Sequence, residues 1–158
     1  VPVDFSPHAA DALRVAQRIG AATGAEVVAQ HVYRVPPGFE KAGDSFEGYA
    51  ASLLANAEQR WAEFSSDLLK TGPAPTIRFD LIPHEDWHSK PADIVVNTAD
   101  ELSSDLIVCG SHGRTGLARL FLGSTSEGIL KRTHRAVFCV KRKNENIGLL
   151  RAIFGEEW

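Results

Sequence analysis

Residues 104–128 read Ser-Asp-Leu-Ile-Val-Cys-Gly-Ser-His-Gly-Arg-Thr-Gly-Leu-Ala-Arg-Leu-Phe-Leu-Gly-Ser-Thr-Ser-Glu-Gly, and this stretch decides the fold. Leu106, Ile107, Val108 and Cys109 form a short unbroken apolar run that stops at Gly110, the pattern of a strand buried on both faces of a parallel sheet. A glycine-rich loop follows at once. Gly110, Gly113 and Gly116 can take positive φ and bring backbone amides close to a ligand, whereas Gly123, Ser124, Thr125 and Ser126 supply small side chains and N-cap hydroxyls where a helix begins. The free amides and positive dipole end of that helix attract phosphate. The loop is not a Walker A motif, because no Gly-Lys-Ser/Thr follows, so no lysine is expected on the phosphates.

Downstream, a helix over 124–134 leads into a strand over 136–140, the fifth of the chain. Upstream, Pro91 opens a short helix that runs to Leu102, and residues 76–82 alternate as a third strand. Tyr49, Leu53, Leu54, Ala57, Trp61, Phe64 and Leu68 recur at helical spacing over 46–69, until Gly72 and Pro73 break the pattern. Pro36, Pro37 and Gly38 open a loop, a candidate lid, after a second strand over 26–33. Ser6 reads as an N-cap with Pro7 at the first helical position, and Ala9, Ala12, Leu13, Ala16 and Ile19 mark one helix face up to the glycines at 20 and 24. Residues 1–4 read as the end of a first strand, with further residues expected ahead of Val1. Strands alternating with helices imply a parallel α/β sheet with right-handed crossovers. Ligands of such sheets sit beyond the carboxyl ends of the strands, and the strands ending at Asp4 and Gly110 are the natural pair to flank that crevice.

The 158 residues are 44% hydrophobic, enough for one domain with its own core. No apolar run approaches the roughly 20 residues of a membrane span, and no signal-peptide pattern precedes the first strand, which makes the cytoplasm the expected compartment and excludes a membrane partner. Cys109 and Cys139 each sit in an apolar run, and without CxxC or Cys/His spacing both read as structural thiols. The net charge of −3 hides an asymmetry: residues 111–143 carry eight Lys or Arg against Glu127 alone, a net +7, while 1–110 carry −8 and 144–158 carry −2. That positive stretch suits a small anionic ligand, whereas nucleic acid calls for a more basic domain with stacking aromatics.

The spacing Gly110-x2-Gly113-x9-Gly123-Ser124 resembles the nucleotide-binding signature of the universal stress protein family. The resemblance covers residues 1–142: Val-Asp-Phe-Ser after the first strand, His-Val in the second, and Asp-Leu-Ile-Val before the glycine loop fall in the family's order, leaving 143–158 as a C-terminal tail. It implies a Rossmann-like open five-stranded parallel sheet of order 3-2-1-4-5 with helices on both faces, a homodimer, and ATP or AMP as ligand, with Mg²⁺ as a possible companion. By position, Pro2, Val3 and Asp4 would form the adenine and ribose edge, and Val32 the adenine wall. Gly110 and Gly113 would lie along the ribose and first phosphate, and Gly123, Ser124, Thr125 and Ser126 would grip the outer phosphates. The fifth strand, apolar at Val137, Phe138, Cys139 and Val140 and last in the sheet order, would be the dimer edge, with the tail over its rim.

Three features depart from the family's pattern: the 83–90 loop replaces a short turn, Gly128 interrupts a helix, and Ala136 stands where proline is common. His84, Asp86 and His88 are metal-capable residue types, but their spacing fits no metal motif and reads as a solvated loop. Ser111 and His112 are sequence neighbours, which seldom aim at each other, so no catalytic pair is expected and His112 reads as a loop residue near phosphate. The leading expectation is an adenine-nucleotide-binding regulatory protein of the stress-response type. A dimeric interaction module without nucleotide and a slow ATPase are the alternatives.

Overall fold

The computed structural model of the chain describes residues 1–39, 45–68, 70, 72, 74–83, 86, 88–112 and 122–142. Eight elements follow one another: α1 (Pro7–Thr23), β1 (Val28–Tyr33), α2 (Phe46–Leu68), β2 (Thr76–Leu81), α3 (Pro91–Glu101), β3 (Leu106–Gly110), α4 (Ser124–Arg132) and β4 (Ala136–Val140). Local chemistry sets their ends. Ser6 caps α1 by accepting from the Ala9 N–H at 3.2 Å, Pro7 fills the first turn, and Gly24 closes the helix at φ 76°, a left-handed conformation that glycine adopts without strain. The candidate lid loop is described only up to Phe39 and from Ser45, and the tail over 143–158 lies outside the described residues.

The strands form two parallel pairs, β1 with β2 and β3 with β4. The first residues join β1 through one parallel bridge, Pro2 to Gln30, in which Val3 N–H donates to Gln30 O at 2.7 Å and Gln30 N–H donates to Val1 O at 2.8 Å. Among the described residues no ladder joins this first segment to β3. A physical reason is at hand: in a parallel strand alternate residues bond to opposite sides, so the residue facing away from β1 is Pro2, which has no N–H to donate.

Helices cover both faces. On β3, Ile107 packs into a cluster with Ala92, Val95, Val96 and Ala99 of α3 and Ile129 of α4, whereas the adjacent Val108 packs against Ala12 and Ala16 of α1 together with Val140. Neighbouring strand residues point to opposite faces, so the apolar run at 106–109 is what a doubly covered strand requires. Helix α2 lies with α1 on the second of these faces: Leu68, with Trp61 and Phe64, meets Leu13, Ala29 and Ile77.

Gly128, a propensity defect inside α4 when read from sequence, is a contact requirement. A Cβ there would stand 2.7 Å from Ala92 Cβ, so α3 and α4 approach closely only because the side chain is absent. Gly128→Ala is therefore expected to lower the melting temperature, although alanine improves helix propensity by about 1 kcal/mol. Adding Ala92→Gly is expected to recover part of the loss, and a melting temperature raised by Gly128→Ala alone would refute the contact argument.

Candidate functional site

Beyond the carboxyl ends of β1 and β3 lies a cavity of about 300 Å³. This is the lower end of the roughly 300–1,000 Å³ usual for small-molecule sites. Pro2, Val3 and Asp4 line it from the first segment, Val32 from β1, Gly110 from β3, and Gly123, Ser124, Thr125 and Ser126 from the start of α4. Nine of the ten residues selected from sequence thus face one space; the tenth, Gly113, lies outside the described residues, as do Gly116 and the rest of 113–121. Ala9, Gln30, His31, Pro91, Val95 and Cys109 share the lining and were not selected, and His112, read from sequence as a loop residue near phosphate, lines it too. Gln30 carried a readable signal, a polar side chain directly after the apolar run Val27-Val28-Ala29 of the second strand.

At one end, the wall is a sharp turn after the first segment. Phe5 sits at φ 63°, a conformation that costs a non-glycine residue on the order of 1–3 kcal/mol. Its surroundings hold it there: the Arg60 guanidinium lies 4.5 Å from its ring centre, Phe64 meets it edge-on, and the His31 ring lies 4.5 Å away. His31 in turn reaches Val3 O through Nδ1 at 2.7 Å. The turn fixes Asp4, whose Oδ1 accepts from the Ser6 N–H at 3.0 Å.

At the other end is the start of α4. Its N-cap is Gly123, which offers no side-chain cap, so the expected hydroxyl capping is absent and the first-turn amides are left for another acceptor. The Ser126 hydroxyl donates to Gly110 O at 2.7 Å, and Gly123 N–H donates to Ser111 O at 2.8 Å. These bonds lash α4 to the end of β3 and engage the Ser126 hydroxyl and the Gly123 N–H, so this end offers the next backbone N–H groups together with Ser124 and Thr125. Gly110 also departs from expectation. The described glycines at positive φ are Gly24 and Gly38, whereas Gly110 is needed because a Cβ would stand 2.9 Å from His8 Cβ and 3.0 Å from His8 O.

The described part of the basic stretch does not supply the cavity with cations. Lys131 pairs with Glu127, Arg132 with Asp93, Arg135 with Asp100 and Arg142 with Asp11. No Lys or Arg among the described residues lines the cavity, and Arg114 and Arg119 lie outside them. Among the described residues, attraction for an anion here is therefore a property of the α4 N-terminus.

Ser111 Oγ and His112 Nδ1 lie 3.0 Å apart, so these sequence neighbours do meet. Ser111 is completely buried, which keeps its hydroxyl from any ligand. Cys109 and Cys139 are free thiols paired side by side across β3 and β4. Burial, then the neighbouring Cys139, pushes the Cys109 thiol up to about 11, so it stays protonated and unreactive at neutral pH. Among the described residues no group of three His, Cys, Asp or Glu could hold a metal ion.

The universal stress protein family model matches residues 1–141. The chain belongs to that family. Universal stress protein MJ0531 of Methanocaldococcus jannaschii is 32% identical over 151 residues, covering 90% of this chain and 80% of the relative. The solved structure of MJ0577 from the same organism superposes with a TM-score of 0.71 at 28% identity, over 90% of this chain and 94% of the other. A universal stress protein solved in complex with cAMP superposes with a TM-score of 0.59 at 26% identity, over 89% of this chain and 93% of that one. In the present universal stress protein the described residues of the unusual 83–90 loop are tied to the residue after β1: Arg34 donates to the carbonyls of Asp86 and Ser89, and the Asp86 carboxylate accepts from the Ser89 N–H and hydroxyl. His84 lies outside the described residues. No helix among the described residues is long and apolar enough to cross a membrane.

Proposed function

We propose that this universal stress protein is a regulatory protein that binds an adenine nucleotide, ATP or AMP, in the cavity between β1, β3 and α4, its output being a conformation or partner choice set by occupancy. The observation that carries this reading is the convergence, in one cavity, of an apolar wall at Pro2, Val32 and Val95 with the uncapped N-terminus of α4. The wall suits a flat base and the helix end suits phosphate. The relative solved with cAMP supports the same class of ligand. The first segment, between β1 and β3, would be the middle strand of the five-strand order 3-2-1-4-5. The nearby carboxylates are Asp4 and Glu127, and Glu127 is paired with Lys131, so Mg²⁺ accompanying ATP would be held mainly by phosphates and water. Hydrolysis needs a positioned water as well as the metal; with the Ser111 hydroxyl buried and the Glu127 carboxylate engaged by Lys131, slow turnover at most is expected.

Denaturing the purified protein and chromatographing the supernatant tests the proposal, together with calorimetric titration of ATP and AMP with and without Mg²⁺. Released adenine nucleotide, or saturable one-site binding, is the expected result; absence of both at millimolar nucleotide would overturn it.

A homodimer through β4 belongs to the same proposal. Phe138 is 50% exposed on a strand whose second edge pairs with nothing among the described residues, a template for a second copy. Phe138→Lys is expected to give monomers by light scattering, with an unchanged dimer mass counting against this edge. Val140 is unsuitable for the test, because it packs with Ala12, Ala16 and Val108 in the core.

A further inference from the structure

Gln30 is 4% exposed and lines the cavity from β1. It is two residues from Val32 and shares its face, so it lines the space on the side of the apolar wall that Val32 provides. Its amide is held in one orientation. Nε2 donates to Asp80 Oδ2 at 2.8 Å and to Thr98 Oγ1 at 2.9 Å, which uses both of its protons. A carboxylate only accepts, so the side of the amide that faces Asp80 must be the nitrogen. Asp80 is itself gripped by Arg78, whose Nε donates to both carboxylate oxygens at 2.9 Å. The amide oxygen Oε1 makes neither of these bonds and is not sealed from solvent. Gln30 lines the cavity, and among the described residues no hydrogen bond is made to Oε1, the polar atom of its amide that remains to face that space.

We infer that Gln30 Oε1 is the acceptor that reads the exocyclic amino group of a purine base, which makes Gln30 a specificity-determining residue of this cavity. The inference rests on the adenine-nucleotide reading above. An amide oxygen fixed in place favours a ligand that presents a donor and opposes one that presents a carbonyl, because two acceptors face to face leave both unsatisfied. AMP carries an amino group at the 6-position of its base, IMP a carbonyl, and purine riboside monophosphate neither.

Calorimetric titration of the full chain with these three nucleotides tests this, in the wild type and in Gln30→Met, which removes the acceptor while keeping an unbranched side chain. The wild type is expected to bind AMP at least about tenfold more tightly than either analogue. Gln30→Met is expected to bring the three affinities within about threefold of one another. The ligand series in the wild type keeps the inference testable if the variant fails to fold. Comparable binding of all three to the wild type, or an AMP preference that survives Gln30→Met, would overturn the role of Gln30 while leaving the nucleotide site standing. Failure of the wild type to bind any of the three would overturn the site and the inference together.

Discussion

Ser124→Pro is expected to weaken ATP and AMP binding by roughly 10- to 100-fold while leaving the melting temperature within a degree or two of wild type. Ser124 is the first residue of α4, after the N-cap Gly123 at ψ 148°. Proline is at home in that position, because its N–H would have no partner within the helix and its fixed φ matches the first turn. The residue before a proline must be extended, and Gly123 already is. The substitution therefore removes one backbone donor from the cavity with little disturbance to the helix. A hydrogen bond to a charged acceptor contributes about 1.5–3 kcal/mol, and each 1.4 kcal/mol or so is tenfold in affinity. Ser124→Ala, which keeps the N–H and loses only the hydroxyl, separates the two contributions; it is expected to stay close to wild type. Equal affinity in Ser124→Pro and wild type would show that the anion sits elsewhere.

Gly110→Ala is expected to destabilise the fold by about 1–3 kcal/mol, and Gly110→Val by more. The added Cβ would stand 2.9 Å from His8 Cβ and 3.0 Å from His8 O, and much of what it meets is backbone rather than the end of a flexible side chain. That backbone is poorly able to retreat. His8 lies in the first turn of α1, where Ser6 accepts from Ala9 N–H through its hydroxyl and from Ala10 N–H through its carbonyl. Further along, Ala12 and Ala16 of the same helix are packed on Val108 and Val140. Thermal melts and urea midpoints check this, at about 2–4 °C per kcal/mol for a chain of this size. An unchanged midpoint would mean that α1 can slide off β3 without cost. Because Gly110 also lines the cavity and receives the Ser126 hydroxyl on its carbonyl, nucleotide affinity is expected to fall with stability.

The four helices and the four strands of the two ladders were legible in the chain because they rest on groups a few residues apart, whereas the expected first strand is present as a single bridge and the expected hydroxyl cap of α4 is absent. Ser6 meets Ala9, Gly24 N–H meets Gly20 O, and the apolar run at 106–109 is contiguous. The meeting of Asp4, Val32, Gly110 and residues 123–126 in one cavity was legible too, since the alternation of strands and helices places their loops at one end of the sheet. The roles of individual residues were decided by tertiary structure. Gly110 is glycine because of His8 and Gly128 because of Ala92, contacts between elements that no local rule anticipates. The cations of 131–142 look in sequence like a phosphate-binding field, yet three of the four that are paired answer acids on other helices. Gln30 acquires its orientation from Asp80 and Thr98, 50 and 68 residues away. Local hydrogen bonding and periodicity are written in neighbouring residues, whereas close approach, charge pairing and amide orientation exist only once distant segments have been packed together.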